Sequence, residues 1–334
     1  MDILTCLSNV CSDDRDAQLA AVDYLSQIIN SDISDCIIQL IENEKVVGIK
    51  EKLLLFLKQF FFPRMNTQLI ERMFKSEDPF LRNAPMELLR YIDIDFVSEM
   101  SRLSVDPDKD VRKFVVDTLS EHSSKEVIHI VENLLNDGAA IVRQSAVESL
   151  GRMGAKNSAN AIEELLYKEK KLMIQCTCLE ALASLGFSPN SEDIILKFAS
   201  ENNPTFLFSF LRYLGVFGKT TDLNKLEEYL DKFGDFLLRP IAYAAFAIFQ
   251  RNDKITLPDT LIKRFRNFIN NPSDEDWVWE VARVLLFGLG DKGIVEARQI
   301  LKTGQESIRF VAFEFLELYG DESDKQLVEN QDTF

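Results

Sequence analysis

Apolar residues recur along most of the chain three and four positions apart, which is the spacing of an amphipathic helix. Four stretches show this pattern most clearly: DPFLRNAPMELLRY, DKDVRKFVVDTLSE, GAAIVRQSAVESLGRMG and KLMIQCTCLEALASLG. Each places an apolar residue before a polar one, then a small or apolar residue three positions on and a leucine four positions later. With only 13 Gly and 9 Pro in 334 residues, the chain has few helix breakers. The pattern predicts a succession of helices.

The pattern repeats at intervals of 30 to 32 residues, with one interval of 40. The second residue of this pair, which is polar in most repeats, serves as the anchor, and the anchors are Gln18, Lys50, Arg82, Arg112, Arg143, Gln175, Leu207, Arg239, Trp279 and Arg309. Seven positions after every anchor the residue is apolar, and eleven positions after five anchors it is a glycine, where a helix end is expected. A second helical segment precedes each anchor from the second repeat onwards. The period therefore predicts helix–turn–helix units that bury their apolar faces by stacking.

The Asp-x-x-Val-Arg-x-x-Ala-x-x-x-Leu pattern resembles HEAT repeats, particularly the short bacterial, phycobilisome-lyase-like type. The resemblance is strongest in GAAIVRQSAVESLGRMG and weakest in repeats one, two and seven to nine. It implies an all-α fold, a right-handed α-solenoid of about ten HEAT-like helical hairpins over residues 1–320, followed by an acidic C-terminal tail or cap over 321–334. It also implies that the second helices line the concave face.

In the family, the Arg of this pattern typically pairs with an Asp of a neighbouring repeat, so that the pairs form a ladder. The residues that match the Arg are Arg82, Arg112, Arg143, Arg239 and Arg309. The other anchors depart from the pattern, and the ladder is therefore expected to be interrupted.

The formal net charge is −16, and no long basic stretch supplies the concentrated positive surface that duplex nucleic acid requires, so no nucleic-acid partner is expected. The first residues lack the positive segment of a signal peptide, and the most apolar run, LLLFLKQFFF, is too short to span a bilayer and carries Lys58. A cytoplasmic protein without membrane insertion is expected. The odd number of cysteines, five, predicts reduced thiols.

Catalytic and metal-binding motifs are missing from the pattern. The two histidines, His122 and His129, lie two helical turns apart, too far to share one ion within a helix. FGLGDKG falls at a turn between repeats rather than after a strand, so a phosphate loop is not expected there. The interval of 40 contains a basic cluster, Lys263, Arg264 and Arg266, which we interpret as the solvated face of a longer helix. The sequence predicts no enzyme activity and no cofactor.

The predicted function is a protein–protein interaction scaffold or adaptor that uses the concave face of the solenoid. The alternative, implied only by the resemblance, is a bilin lyase or chaperone-like protein. A structural spacer is a third possibility.

Two groups of exposed positions are candidate partner-binding residues. Five positions after the anchor, four consecutive repeats carry a carboxylate, which predicts an acidic strip for a basic partner segment: Glu87, Asp117, Glu148 and Glu180. In repeats seven to nine the strip ends, and Arg and aromatic side chains suited to an interface replace it: Phe208, Arg212, Arg283 and Phe287. Burial beneath the extra residues before Trp277 is the competing interpretation of this second group.

Overall fold

The structure, a computed structural model, describes residues 3–12, 14–27, 31–60, 67–88, 94–251, 257–272, 276–303 and 306–329. Throughout these ranges the regular elements are helices, and none of the described residues lies in a β-strand. The chain divides into two compact units, Met1–Ala155 and Lys156–Phe334. No helix of the described ranges is long and apolar enough to cross a membrane.

The first unit contains ten described α-helices. They are α1 (Ile3–Val10), α2 (Arg15–Gln27), α3 (Ser31–Asn43), α4 (Val47–Phe60), α5 (Thr67–Phe74), α6 (Pro79–Leu88), α7 (Ile94–Leu103), α8 (Lys109–Leu119), α9 (Lys125–Asn133) and α10 (Ala140–Arg152).

The second unit contains eleven α-helices among its described residues. They are α11 (Ala159–Lys168), α12 (Leu172–Leu185), α13 (Ser191–Phe198), α14 (Pro204–Phe217), α15 (Leu223–Phe233), α16 (Leu238–Gln250), α17 (Asp259–Asn270), α18 (Val278–Gly288), α19 (Lys292–Thr303), α20 (Glu306–Tyr319) and α21 (Glu322–Glu329).

Each odd-numbered helix from α1 to α19 packs against the even-numbered helix that follows it. In the first unit α6, α8 and α10 lie side by side, and in the second unit α12, α14, α16, α18 and α20 do the same. The predicted anchors fall in the even-numbered helices, and the predicted preceding segments coincide with the odd-numbered ones. The helical-repeat architecture expected from the sequence is thus confirmed.

The core of each unit contains the apolar residues seven positions after the anchors. Leu119 and Leu150 in the first unit and Leu182 in the second are 0% exposed, as the register predicted. Phe246 occupies the same position in α16 but is only half-buried. Leu89, at this position of the third repeat, lies outside the described residues.

Local sequence signals set several helix ends. The Asp108 carboxylate accepts a hydrogen bond from the Asp110 amide at 2.9 Å and caps α8. Asn203 caps α14, where Pro204 supplies a first residue that needs no amide partner. At the C-terminal end of α12, Gly186 adopts a φ of 59°, a conformation that would be strained for a residue with a side chain. This is one of the positions where the eleven-residue offset predicted a helix stop.

The predicted Arg–Asp contact between repeats is present at Arg112, which forms an ion pair with Asp137 in the turn before α10. Lys50 makes the corresponding contact with Asp78, so a lysine continues the pairing where the sequence pattern predicted an interruption. Arg239 departs from the expected partner and instead bonds Glu280 on α18. The contact between repeats therefore requires a cation and a carboxylate, but not specifically an arginine and an aspartate.

The long interval contains α17, whose cations Lys263, Arg264 and Arg266 are exposed, as predicted for this cluster. The prediction of a longer helix was wrong, because α17 has 12 residues, the same number as α19. Arg264 pairs with Asp231 at 3.0 Å, and Arg266 with Glu296 at 2.7 Å. Because both carboxylates lie on neighbouring odd-numbered helices, part of the basic charge is neutralised within the unit.

The acidic tail continues as α21, which packs on α20. Asp324 is buried there and accepts two hydrogen bonds from Arg298, at 2.8 and 2.7 Å. The buried, paired carboxylate fastens this last described helix to α19.

Candidate functional site

Three members of the predicted acidic strip lie at one register position on α6, α8 and α10 of the first unit. Glu87 is exposed and lies 3.6 Å from Lys58 Nζ. Asp117 is half-buried and paired with Lys113 at 2.5 Å, and Glu148 accepts a hydrogen bond from Gln144 at 3.0 Å. Glu87 and Glu148 therefore remain presented to solvent, whereas Asp117 is partly occupied within its own helix.

The fourth carboxylate, Glu180, lies on α12 of the second unit and is exposed. It accepts a hydrogen bond from Ser209 Oγ on α14 at 2.7 Å. Glu180 thus connects two even-numbered helices through this hydrogen bond, and its exposed carboxylate remains accessible to a partner.

Phe208 and Arg212, on α14, are both exposed. The Phe208 ring meets the exposed ring of Phe236 edge-on, with centroids 5.6 Å apart. Arg212 donates from Nη2 to the hydroxyl of Ser184 at 3.3 Å, a neutral partner. Among the described residues this part of the surface is open.

Arg283 and Phe287, on α18, are half-buried and already engaged within the unit. Arg283 forms an ion pair with Glu314 on α20. The Phe287 ring packs edge-on against Phe315 and Tyr319, with centroids 5.2 and 5.8 Å away. Phe287 therefore stabilises the packing of α18 on α20, which reduces the apolar area that it presents to a partner.

The structure adds three exposed aromatic residues and the half-buried Trp279, none of which was predicted from the sequence as a binding residue. Together with Phe208 they lie on or beside successive even-numbered helices, and we call this set the aromatic face: Phe208, Phe236, Tyr243, Trp279 and Phe310. A signal was available for two of them, since Trp279 replaces a polar anchor and Phe310 occupies the position after an anchor, where Lys113 and Gln144 stand in other repeats. Tyr243 gave no such signal, because the residue at the same position of α10, Val147, is buried.

A groove between α16 and α18 indents the aromatic face and has a cavity volume of about 120 Å³. Tyr243, Phe246 and Trp279 contribute its aromatic lining. At its edge Arg239 bonds both carboxylate oxygens of Glu280, at 3.0 and 2.9 Å. The groove therefore combines apolar walls with a charged edge, which are the elements of a protein-binding pocket.

Hydrogen bonding to the Glu280 carboxylate raises the pKa of Arg239, and a hydrogen bond with Tyr243 adds to the effect. The pKa of Tyr243 is raised as well, first by burial and then by its hydrogen bond with Glu280. Both groups consequently keep their protons at neutral pH, so the edge of the groove carries a guanidinium cation and a neutral phenol.

Within the described ranges, no group of three or more His, Cys, Asp or Glu side chains is arranged to hold a metal ion. His129 is exposed and lies 3.9 Å from Glu132, one turn away on the same helix. The cysteine thiols are unpaired, and burial raises the pKa of Cys178 far above its usual range. Such a thiol stays protonated and unreactive at neutral pH.

Residues 100–183 match the family model described as HEAT repeats. The sequence matches no curated protein. Among solved structures, an engineered protein from a structural genomics consortium is 14% identical and aligns over 96% of this chain and 100% of its own, with a TM-score of 0.46. Importin beta is 12% identical and aligns over 95% of this chain, with a TM-score of 0.49, and the alignment spans 50% of the importin beta chain.

The helical pairs define the class of fold, an all-helical repeat architecture, and residues 100–183 within it match HEAT repeats. The resemblance to HEAT repeats inferred from the sequence is confirmed for residues 100–183, and the architecture on either side of this segment repeats the same helical pairing.

Proposed function

We propose that this protein is a non-catalytic scaffold that binds a partner protein on the exposed surface of its even-numbered helices. The aromatic face carries the proposal. Phe208, Tyr243 and Phe310 are 43%, 51% and 51% exposed, and arginines accompany them. Exposed aromatic residues beside arginine are the residue types that dominate protein–protein binding energy.

The acidic strip is a second docking surface, suited to a basic segment. Glu87 and Glu148 are exposed on the first unit, and their charges have the sign that would attract lysine and arginine. A basic segment bound there would lose affinity with added salt, because exposed charges are screened over a Debye length of about 8 Å at physiological ionic strength. The aromatic face would respond less, since its apolar contacts are not screened.

The same proposal includes a cytoplasmic location and no requirement for a cofactor. Five unpaired cysteines support a reducing compartment. The family match describes a repeat rather than a reaction, and it adds nothing in favour of the bilin-lyase alternative.

The experiment is affinity capture from extracts of the source organism, with cross-linking and quantitative mass spectrometry. The wild-type chain is compared with a double variant of the aromatic face, Phe208→Ala with Arg212→Glu, and with a double variant of the acidic strip, Glu87→Lys with Glu148→Lys. Phe187→Ala and Glu164→Lys provide matched controls, because both residues are exposed and neither belongs to a candidate surface.

We expect a reproducible partner that is lost from the aromatic-face variant and retained by both controls. Circular dichroism of each variant must first show the wild-type helical content. A partner lost only from the acidic-strip variant would move the docking surface to the first unit. Capture of no specific partner by the wild-type chain would refute the scaffold function.

A further inference from the structure

The groove between α16 and α18 has the size of a single side chain. Its cavity volume of about 120 Å³ is well below the roughly 300–1,000 Å³ of pockets for drug-sized ligands. An apolar cavity of about 150 Å³ in another protein accepts one benzene ring. The dimensions therefore fit one apolar group that projects from a larger partner.

The walls of the groove favour an aromatic group. Tyr243 and Trp279 contribute aromatic surface, and Val281 and Val284 contribute aliphatic surface. Aromatic rings gain about 0.5–1.5 kcal/mol from edge-to-face or offset contacts beyond the burial of their area. A phenylalanine side chain would continue the edge-on pairing that Phe246 and Phe287 already show beside the groove, at 6.0 Å.

The charge at the edge of the groove is unevenly exposed. In the Arg239–Glu280 pair the arginine side chain is 50% exposed and the glutamate side chain 11%. The guanidinium therefore faces solvent while its carboxylate lies beneath it. Arg283 also lines the groove, and Arg212 on α14 adds a third guanidinium to the same surface.

An approaching segment thus meets arginine before it meets glutamate. Arg239 already bonds Glu280 and Arg283 already bonds Glu314, so a carboxylate beside the inserted ring would bond the remaining N–H groups of these guanidinium ions. Arg212, whose hydrogen-bond partner is the neutral Ser184, supplies the positive charge that the two pairs do not neutralise. Lysine or arginine in those places would face like charge at short range. The local surface consequently selects an acidic segment, although the whole chain is itself acidic, with a net charge of −16.

We propose that the α16–α18 groove binds an aromatic side chain from an acidic peptide segment of a partner protein. This inference rests on the proposed scaffold function and specifies its ligand. Such a segment differs from the basic one that the acidic strip would take, so the two surfaces would hold different parts of a partner, or different partners.

The test uses synthetic peptides and the full chain. The probe is acetyl-Gly-Ser-Glu-Glu-Phe-Glu-Glu-Ser-Gly-amide, and its controls replace the phenylalanine by alanine or the four glutamates by lysines. Binding is followed by the anisotropy of a fluorescein label and by tryptophan fluorescence, because Trp279 lines the groove. The variant Trp277→Phe removes the second tryptophan and assigns the signal to Trp279.

We expect the acidic phenylalanine peptide to bind at least about tenfold more tightly than either control peptide, a difference of about 1.4 kcal/mol. Tyr243→Ser and Arg239→Gln should each weaken this binding at least about fivefold. The matched variants Tyr167→Ser and Arg264→Gln should leave it unchanged, since both residues lie on odd-numbered helices.

Tighter binding of the lysine peptide, equal binding by Tyr243→Ser, or no binding of the acidic peptide at about 1 mM would overturn the inference. Self-association of the chain that Tyr243→Ser abolishes would overturn it as well, since a second copy would then occupy the groove. If the peptides fail while capture still yields a partner lost from the aromatic-face variant, the groove assignment falls and the scaffold function stands. Failure of capture itself would remove both.

Discussion

Arg112 and Asp137 are joined by two hydrogen bonds, from Nε to Oδ2 at 2.6 Å and from Nη2 to Oδ1 at 2.8 Å. Their side chains are 15% and 7% exposed, so the pair is largely shielded from water. Arg112 also donates to the backbone oxygen of Asp106 at 2.7 Å. One guanidinium therefore links helix α8 to the turn before it and to the turn between α9 and α10 in the next repeat.

Arg112→Ala should lower the free energy of unfolding by about 2–3 kcal/mol, because it leaves a covered carboxylate without its cation. Urea denaturation followed by circular dichroism measures the change. Arg152→Ala is the matched control: that side chain is 60% exposed and lies 4.0 Å from Glu121, so its loss should cost no more than about 1 kcal/mol. Equal losses for the two variants would show that the Arg112 pair does not stabilise the repeat contact.

The same pair predicts a loss of stability in acid. Burial of Asp137 raises its pKa, but hydrogen bonds from Arg112 and the Ala139 amide outweigh that effect and hold the pKa below the ordinary value of 3.8. A carboxyl whose pKa is lowered by folding stabilises the folded state above its ordinary pKa, and this contribution disappears as the pH falls through the lowered value.

The stability advantage of the wild type over Asp137→Asn should therefore be constant near neutral pH and shrink below about pH 4. Urea denaturation of both proteins between about pH 3 and pH 7 measures it. An advantage that stays the same at every pH would contradict the assignment.

Leu150 provides a test of the repeat register. It is 0% exposed on α10, and Leu150→Ala should cost about 2–5 kcal/mol through lost burial and the cavity left behind. Because repeats stabilise their neighbours, hydrogen exchange should accelerate in α8 as well as in α10. Ile141→Ala on the same helix is the control, since Ile141 is 42% exposed and its truncation should cost less than about 1 kcal/mol. Matching melting curves for the two variants would refute the register.

The helices were predictable because their signals are local. The positions of Leu119, Leu150 and Leu182 follow from spacing alone, and burial at these positions needs only that one face of each helix meets its neighbours. Phe287 shows where this reasoning ends. The sequence offered its ring as a partner-binding anchor, with burial beneath the extra residues before Trp277 as the competing interpretation, and in the structure it is α20 that brings Phe315 and Tyr319 against the ring.

The groove was not predictable for the same reason. It exists because α16 and α18 place Tyr243 beside Trp279, and the spacing within one helix does not report which side chain the next helix supplies. Lys50 is a similar case: its contact with Asp78 depends on charge and proximity, neither of which a search for arginine detects.

Gly186 ends α12 in the left-handed region, with a φ of 59°. Gly186→Ala should destabilise the protein by about 1–2 kcal/mol, although a Cβ at this position would meet no atom within 4 Å. Gly138→Ala is the control, because that position is equally open and has no left-handed φ. Thermal denaturation compares them, and a Gly186 variant as stable as the Gly138 variant would show that the helix end does not require glycine.

A chain of hydrogen bonds in the second unit ends on a buried carboxylate. Tyr213, 0% exposed, lies with its hydroxyl 2.5 Å from Ser188 Oγ, and Ser188 in turn donates to Glu163 Oε1 at 2.5 Å. Glu163 is 2% exposed and also accepts from the side-chain amide of Asn190 at 2.7 Å. Burial raises the pKa of Tyr213, which keeps its hydroxyl protonated and able to donate to Ser188.

Removal of the middle member of this chain should therefore cost more than removal of its end. Tyr213→Phe deletes one hydrogen bond and should lower the free energy of unfolding by about 0.5–1.5 kcal/mol. Ser188→Ala leaves the Tyr213 hydroxyl without this partner and takes a donor from the Glu163 carboxylate, so its cost should reach about 2–3 kcal/mol.

In the double variant the tyrosine hydroxyl is absent and therefore no longer lacks a partner. The loss of stability in the double variant should be smaller than the sum of the two single losses by at least about 0.5 kcal/mol. Urea denaturation of the four proteins in this cycle measures the coupling. Additive losses, or a larger loss for Tyr213→Phe, would mean that Ser188 does not relay the hydrogen bond from Tyr213 to Glu163.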